Sequence, residues 1–130
     1  MDMKRPKYTT VRVGENFAVV RPERRLLGDC ETDEFSEIVN QLNDQNLSHL
    51  IVDLGAIDWI SSPGLGALAD AHKRFAERGA HVLLARADKR IHNLLIITKL
   101  AMLIDAYPSV DEALAARANL RVPAPALPPA

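Results

Sequence analysis

The chain has one cysteine, Cys30, in 130 residues, so no intramolecular disulfide can brace it. A single thiol suits a reducing compartment, and a cytoplasmic location is expected. No apolar run approaches the roughly 20 residues that a bilayer-crossing helix requires. The basic start Met1-Asp-Met-Lys-Arg-Pro-Lys7 has no apolar stretch behind it, so neither a membrane span nor a signal peptide is expected. Charge of one sign is lacking too: 16 Lys and Arg stand against 17 Asp and Glu, a formal charge of −1. Without a basic bias nothing draws in nucleic acid globally, and the local groups Arg21, Arg24, Arg25 and Lys73, Arg74, Arg78 read as solvated faces. His49, His72, His81 and His92 show no i, i+4 pairing and no flanking cysteines, so no metal site is expected. There is no internal repeat.

What is present is the balance of a globular domain, 48% hydrophobic and 25% charged, in a chain long enough to bury a core unaided. Tyr8–Val13 alternates and is β-branched, Gly14-Glu-Asn16 reads as a turn, and Phe17–Val20 follows: a hairpin. After a polar stretch from Pro22 to Asp29, Thr32 is placed to cap a helix with the apolar stripe Phe35, Ile38, Val39 and Leu42. Leu50-Ile-Val52 suits a strand covered on both faces.

Ser62 is placed to cap a second helix, with Pro63 at its first position, Gly79 at its end, and Leu65, Leu68, His72, Phe75 and Ala76 on one face. His81–Ala85 is another buried strand, and Asp88 can cap a third helix with Ile91, Leu94, Leu95 and Thr98 facing inward. A short strand near Met102–Ile104 and a capping box at Ser109–Glu112 complete the series. The order β-β-α-β-α-β-α-β-α predicts an α/β domain with one mixed, mostly parallel sheet, an antiparallel hairpin edge and about four helices. Residues 8–117 form the domain, 1–7 a flexible start, and 118–130, which hold four of the eight prolines, a disordered tail.

Chemistry concentrates in Asp53-Leu-Gly-Ala-Ile-Asp-Trp-Ile-Ser-Ser-Pro-Gly-Leu-Gly-Ala-Leu68. Two adjacent hydroxyls, Ser61 and Ser62, sit where a helix begins. A helix N-terminus carries unpaired N–H groups and partial positive charge, so it can receive a phosphate. Gly64 and Gly66 lack side chains and let another molecule approach. Asp53 and Asp58 read as strand-end and turn residues rather than an acid/base pair. Trp59 suits a core anchor and an exposed contact equally.

The segment Ile60-Ser-Ser-Pro-Gly-Leu-Gly66 resembles the signature loop of STAS domains, found in bacterial anti-sigma factor antagonists. The resemblance extends to Ala67–Phe75, Arg90–Leu100 and Tyr107–Leu114, roughly residues 8–117 in all, and the element order agrees with the family fold. It implies a non-enzymatic partner switch. The unphosphorylated domain binds an anti-sigma factor, a GHKL-type serine kinase; phosphorylation of a loop serine breaks the complex, and a phosphatase reverses the mark. Alignment on Gly64-Leu65-Gly66 puts the acceptor on Ser62. Ser61 stands where the family usually has aspartate and is the alternative acceptor, while Pro63 replaces a second hydroxyl residue. Trp59, Ser61, Pro63, Gly64, Leu65 and Gly66 are expected to shape the partner contact, with Asp29 and Asp58 flanking it. No cofactor is implied.

Two other readings stand beside this one. A STAS scaffold or regulatory subunit, in a signalling assembly or beside a transporter, would bind partners without phosphorylation. A small nucleotide-binding enzyme is suggested by Gly64-Leu-Gly-Ala-Leu-Ala69, a loose G-x-G-x-x-A fingerprint with Asp88 downstream. Its glycines do not directly follow a strand, which weakens the match. A serine hydrolase lacks the glycine two residues before either serine.

Overall fold

The computed structural model describes residues 6–117. The expected termini, 1–7 and 118–130, therefore lie almost wholly outside the described residues. The chain is pinned from Lys7 onward, where the Lys7 and Tyr8 N–H groups donate to the Glu34 carboxylate at 2.8 Å each.

The elements are β1 (Thr9–Gly14), β2 (Phe17–Pro22), α1 (Cys30–Asn43), β3 (His49–Asp53), α2 (Ser62–Ala76), β4 (His81–Ala85), α3 (Lys89–Ile97), a 3-10 turn (Leu100–Met102), β5 (Asp105–Tyr107) and α4 (Val110–Arg117). They make one five-stranded sheet in the order β1-β2-β3-β4-β5, antiparallel only between β1 and β2. This is the α/β architecture expected. Each parallel step moves one strand in the same direction, so right-handed crossovers put α1, α2 and α3 on one face. Their buried residues, among them Phe35, Leu42, Leu68, Phe75, Ile91 and Leu95, pack on Ala18, Val20, Leu50, Val52, Val82 and Leu84 of the sheet. Burying each large apolar side chain contributes about 1.5–3 kcal/mol. The opposite face, Val19, Ile51, Leu83 and Ala85, is covered by Ala113 of α4. All five residues of β3 are buried, as its apolar run requires.

Two caps follow expectation. Asp88 accepts the Ile91 N–H at 2.9 Å, and Ser109 accepts the Glu112 N–H at 3.0 Å while donating its hydroxyl to the Glu112 carboxylate.

Elsewhere the local assignments shift. Helix α1 is capped by Asp29, not Thr32, and Asp29 makes no side-chain cap bond. Thr32 is already helical, and its hydroxyl accepts the Gly28 N–H at 2.9 Å. Helix α2 begins at Ser62 itself, with Ser61 as its cap. It ends at Ala76, and Gly79 turns the chain away at φ +76°. On α2, Ala71 is buried and Ala76 exposed, and on α3 only Ile91 and Leu95 are buried. The strand expected at Met102–Ile104 lies at Asp105–Tyr107 instead. Met102 and Leu103 belong to the preceding turn and are largely exposed.

Candidate functional site

The site is built where β3 runs out. Asp53, only 4% exposed, accepts the Gly55 N–H at 2.9 Å, which turns the chain into the connector. Burying that carboxylate would be costly alone. Arg86 answers it with a two-pronged grip, Nε to Oδ1 at 2.8 Å and Nη2 to Oδ2 at 3.0 Å. Arg86 holds this pose from a left-handed backbone, φ +58°, with its N–H on the Tyr107 carbonyl at 3.0 Å. Asp53 is thus a strut, in line with its reading as a strand-end residue.

The connector then crosses to the chain before α1. Leu26 and Ile60, both buried, form an isolated parallel bridge. The Ser61 N–H donates to the Leu26 carbonyl at 2.9 Å, and the Ser61 hydroxyl donates to the same oxygen at 3.1 Å. Ser61 therefore faces inward. The Leu65 N–H donates to the Ser61 carbonyl at 2.9 Å and starts the helix.

Ser62, the next residue, is exposed, and its hydroxyl bonds to no described residue. Pro63 is exposed on the same turn and lies against Gly28. A Cβ on Gly28 would come 2.8 Å from the Pro63 Cβ, and Gly28 has φ +94°, so glycine is needed there twice over.

The expected contact residues divide accordingly. Trp59 is 42% exposed, with Leu27 beside the loop at 44%. Gly66 opens onto free space. Gly64 and Leu65 are buried instead. Gly64 has no Cβ because the Leu26 carbonyl and the Ile60 side chain occupy that space; its role is packing, and the expectation that Gly64 and Leu65 present surface to a partner is corrected. The same placement removes the nucleotide fingerprint. Both glycines lie inside α2 rather than in a strand-to-helix turn, so no glycine loop is free to wrap a phosphate.

The rim carries charge. Asp58 is gripped by Arg25, Nε to Oδ1 at 2.6 Å and Nη2 to Oδ2 at 3.0 Å, with Arg90 3.8 Å away. The hydrogen bond from Arg25 holds the Asp58 carboxyl below its ordinary range. Asp29 is exposed at the start of α1.

Sequence reasoning missed Glu31, which organises the chain between them. Its carboxylate accepts the Leu27 N–H at 2.9 Å, the Asp29 N–H at 3.0 Å and the Thr32 hydroxyl at 2.8 Å. Burial pushes the Glu31 pKa up, but these bonds outweigh it and leave the group at about 2. The signal available was a glutamate four residues after Leu27, indistinguishable from any first-turn acid. Of the four histidines, His49 and His81 stack at 5.5 Å on paired positions of β3 and β4.

Among the described residues no group of three or more His, Cys, Asp or Glu is placed to hold a metal, and no helix is long and apolar enough to cross a membrane.

The fold has solved counterparts. A candidate anti-sigma factor antagonist from Thermotoga maritima superposes with a TM-score of 0.76 at 16% identity, over 82% of this chain and 92% of that one. The Bacillus cell fate determinant SpoIIAA, in its phosphorylated form, gives 0.67 at 12% identity, over 82% and 96%. The murine anion transporter Slc26a9 gives 0.66 at 18% identity, over 80% of this chain but 18% of the transporter. No curated protein sequence matches the chain. A family model described as the STAS domain matches residues 8–113, and with the five-stranded sheet and the serine-bearing start of α2 in place, the chain belongs to the STAS domain family.

Proposed function

We propose that this domain is an anti-sigma factor antagonist, a non-enzymatic cytoplasmic switch that binds an anti-sigma factor of the GHKL serine kinase type and is released when that kinase phosphorylates Ser62. The observation that carries the reading is the division of labour between adjacent serines. Ser61 spends its hydroxyl on the Leu26 carbonyl, whereas Ser62 is exposed with its hydroxyl free at the first turn of α2. That favours Ser62 over Ser61 as acceptor. No described side chain is bonded to the Ser62 hydroxyl, which leaves it accessible to a kinase that brings its own base. The solved anti-sigma factor antagonist folds, one of them phosphorylated, support the same class.

The release mechanism is electrostatic. Phosphate adds about −1.5 to −2 charges near neutral pH. The start of a helix tolerates them, since its N–H groups and dipole favour an anion. A partner lying over Trp59, Pro63 and Gly66, with Asp29 and Asp58 at its margin, would instead have to bury an unpaired dianion, which is strongly unfavourable. The complex parts while the domain stays folded. A phosphatase resets it.

The test is mass spectrometry after incubation with candidate GHKL kinases and ATP, together with kinase binding by Ser62→Ala and Ser62→Asp. Phosphate should appear on Ser62, Ala should bind and Asp should not. Phosphate on Ser61 instead would refute the acceptor assignment. Equal binding by both variants with no modification would favour the scaffold reading, which the occurrence of this fold in an anion transporter supports.

A further inference from the structure

The face of the sheet opposite the serine-bearing loop's helices carries a second feature. Helix α4 covers β3, β4 and β5, and the hairpin residues on that side are left beside its first turn. Between them opens a cleft of about 430 Å³, lined by Thr10, Arg12, Val19 and Arg21 from the hairpin, by Asp53 and Arg86, and by Ser109, Val110 and Asp111 at the start of α4. That size lies within the range of small-molecule sites.

Three guanidiniums line this cleft with two carboxylates, and a third carboxylate, Glu23, stands at its edge, where it accepts from the Thr10 hydroxyl at 2.6 Å and from Arg21. Arg86 is committed to buried Asp53 through Nε and Nη2. Arg21 is tied to Glu23 through Nε alone, at 2.7 Å, which leaves its terminal N–H groups available. Arg12 forms no hydrogen bond or ion pair with any described residue, so all five of its donors are unspent.

We propose that this cleft binds a small organic phosphate, with the phosphate on Arg12 and Arg21 and the organic part over Val19 and Val110. A carboxylate is planar and suits one guanidinium fork. A phosphate turns three oxygens in different directions and can engage donors from two strands at once. Arg86, steadied by Asp53, closes the end of the cleft, and Asp111 can accept a hydroxyl of the organic part. The site is independent of Ser62.

The test uses the full chain, with backbone amide shift mapping and calorimetry against glucose 6-phosphate, inorganic phosphate and glucose. Saturable shifts should gather at residues 10–12, 19–21 and 109–111 with glucose 6-phosphate, more weakly with inorganic phosphate, and not with glucose. Arg12→Gln should weaken binding about tenfold or more. Since Arg12 supports no other contact, that variant should melt like the parent. Ser62→Asp should bind as the parent does, which separates this site from the switch. The proposal is overturned if no shifts localise there by about 10 mM ligand, far above the concentrations at which a built site fills. It is equally overturned if Arg12→Gln binds unchanged, or if inorganic phosphate binds as tightly as the sugar phosphate.

Discussion

Replacing Gly64 with alanine should destabilise the domain, while the same change two residues later, at Gly66, should stabilise it. Both glycines lie in the first turns of α2, and in a helix alanine is favoured over glycine by about 0.5–1 kcal/mol. Gly66 collects that gain, because a Cβ there meets nothing within 4 Å. At Gly64 the new methyl runs into the Leu26 carbonyl oxygen and the Ile60 and Leu26 side chains. The carbonyl cannot turn aside, since it holds both the Ser61 N–H at 2.9 Å and the Ser61 hydroxyl at 3.1 Å. Overpacking of this kind costs about 1–3 kcal/mol, and a backbone obstacle places it in the upper half of that range. The net loss should be about 1–2 kcal/mol after the helix gain is counted. In urea unfolding, with m near 1–3 kcal/mol per M, the midpoint of Gly64→Ala should fall by about 0.3–2 M and that of Gly66→Ala should rise slightly. A Gly64→Ala midpoint at or above the parent's would refute the close packing of α2 on Leu26.

Three further outcomes follow from the same geometry. Glu31 has its folded pKa depressed to about 2 from an ordinary 4.5, so its contribution is fully present above pH 4.5 and lost as the pH falls toward 2; Glu31→Gln should be less stable at neutral pH and lose less stability across that acid window, measured by denaturation at stepped pH. Arg86→Ala should cost about 1–2 kcal/mol in chemical denaturation, below the figure for a fully enclosed pair, because Arg86 is 44% exposed while Asp53 is not. Trp59→Ala should weaken binding to the proposed kinase partner several-fold with an unchanged melting temperature, since the ring is 42% exposed; a large drop in melting temperature would mean the ring is a core anchor.

The fold was legible because its signals are local and repeated. The apolar stripe of α1, the buried run of β3 and the caps at Asp88 and Ser109 each lie within a few residues of sequence, and each forms as read. The errors arose where a competing partner, near or distant in sequence, decided the matter. Thr32 looks like a cap, but its hydroxyl is taken by the Gly28 N–H, and helix α1 starts earlier, at Cys30 with Asp29 as its cap. Met102 and Leu103 look like strand residues because they are apolar, yet the three-residue β5 that pairs with Leu83–Ala85 begins at Asp105. The same limit applied at the site. Ser61 and Ser62 cannot be ranked from composition. What separates them is a carbonyl 35 residues away in sequence, and the burial of Gly64 depends on that same distant strand-like bridge.

The loop therefore separates holding from presenting, residue by residue. Ser61, Gly64 and Leu65 turn inward: one bonds to Leu26, one admits the Leu26 carbonyl, and one fills the core. Ser62, Pro63 and Gly66 turn outward and contribute little to that grip. Charge added at Ser62 then acts on the start of α2 without touching the contacts that fix it. An aspartate at the first helical position is favoured by about 0.3–1 kcal/mol, so Ser62→Asp should melt at or slightly above the parent's temperature. A marked loss of thermal stability in that variant would mean that the outward hydroxyl is structural after all, and that modification would unfold the loop rather than alter its surface.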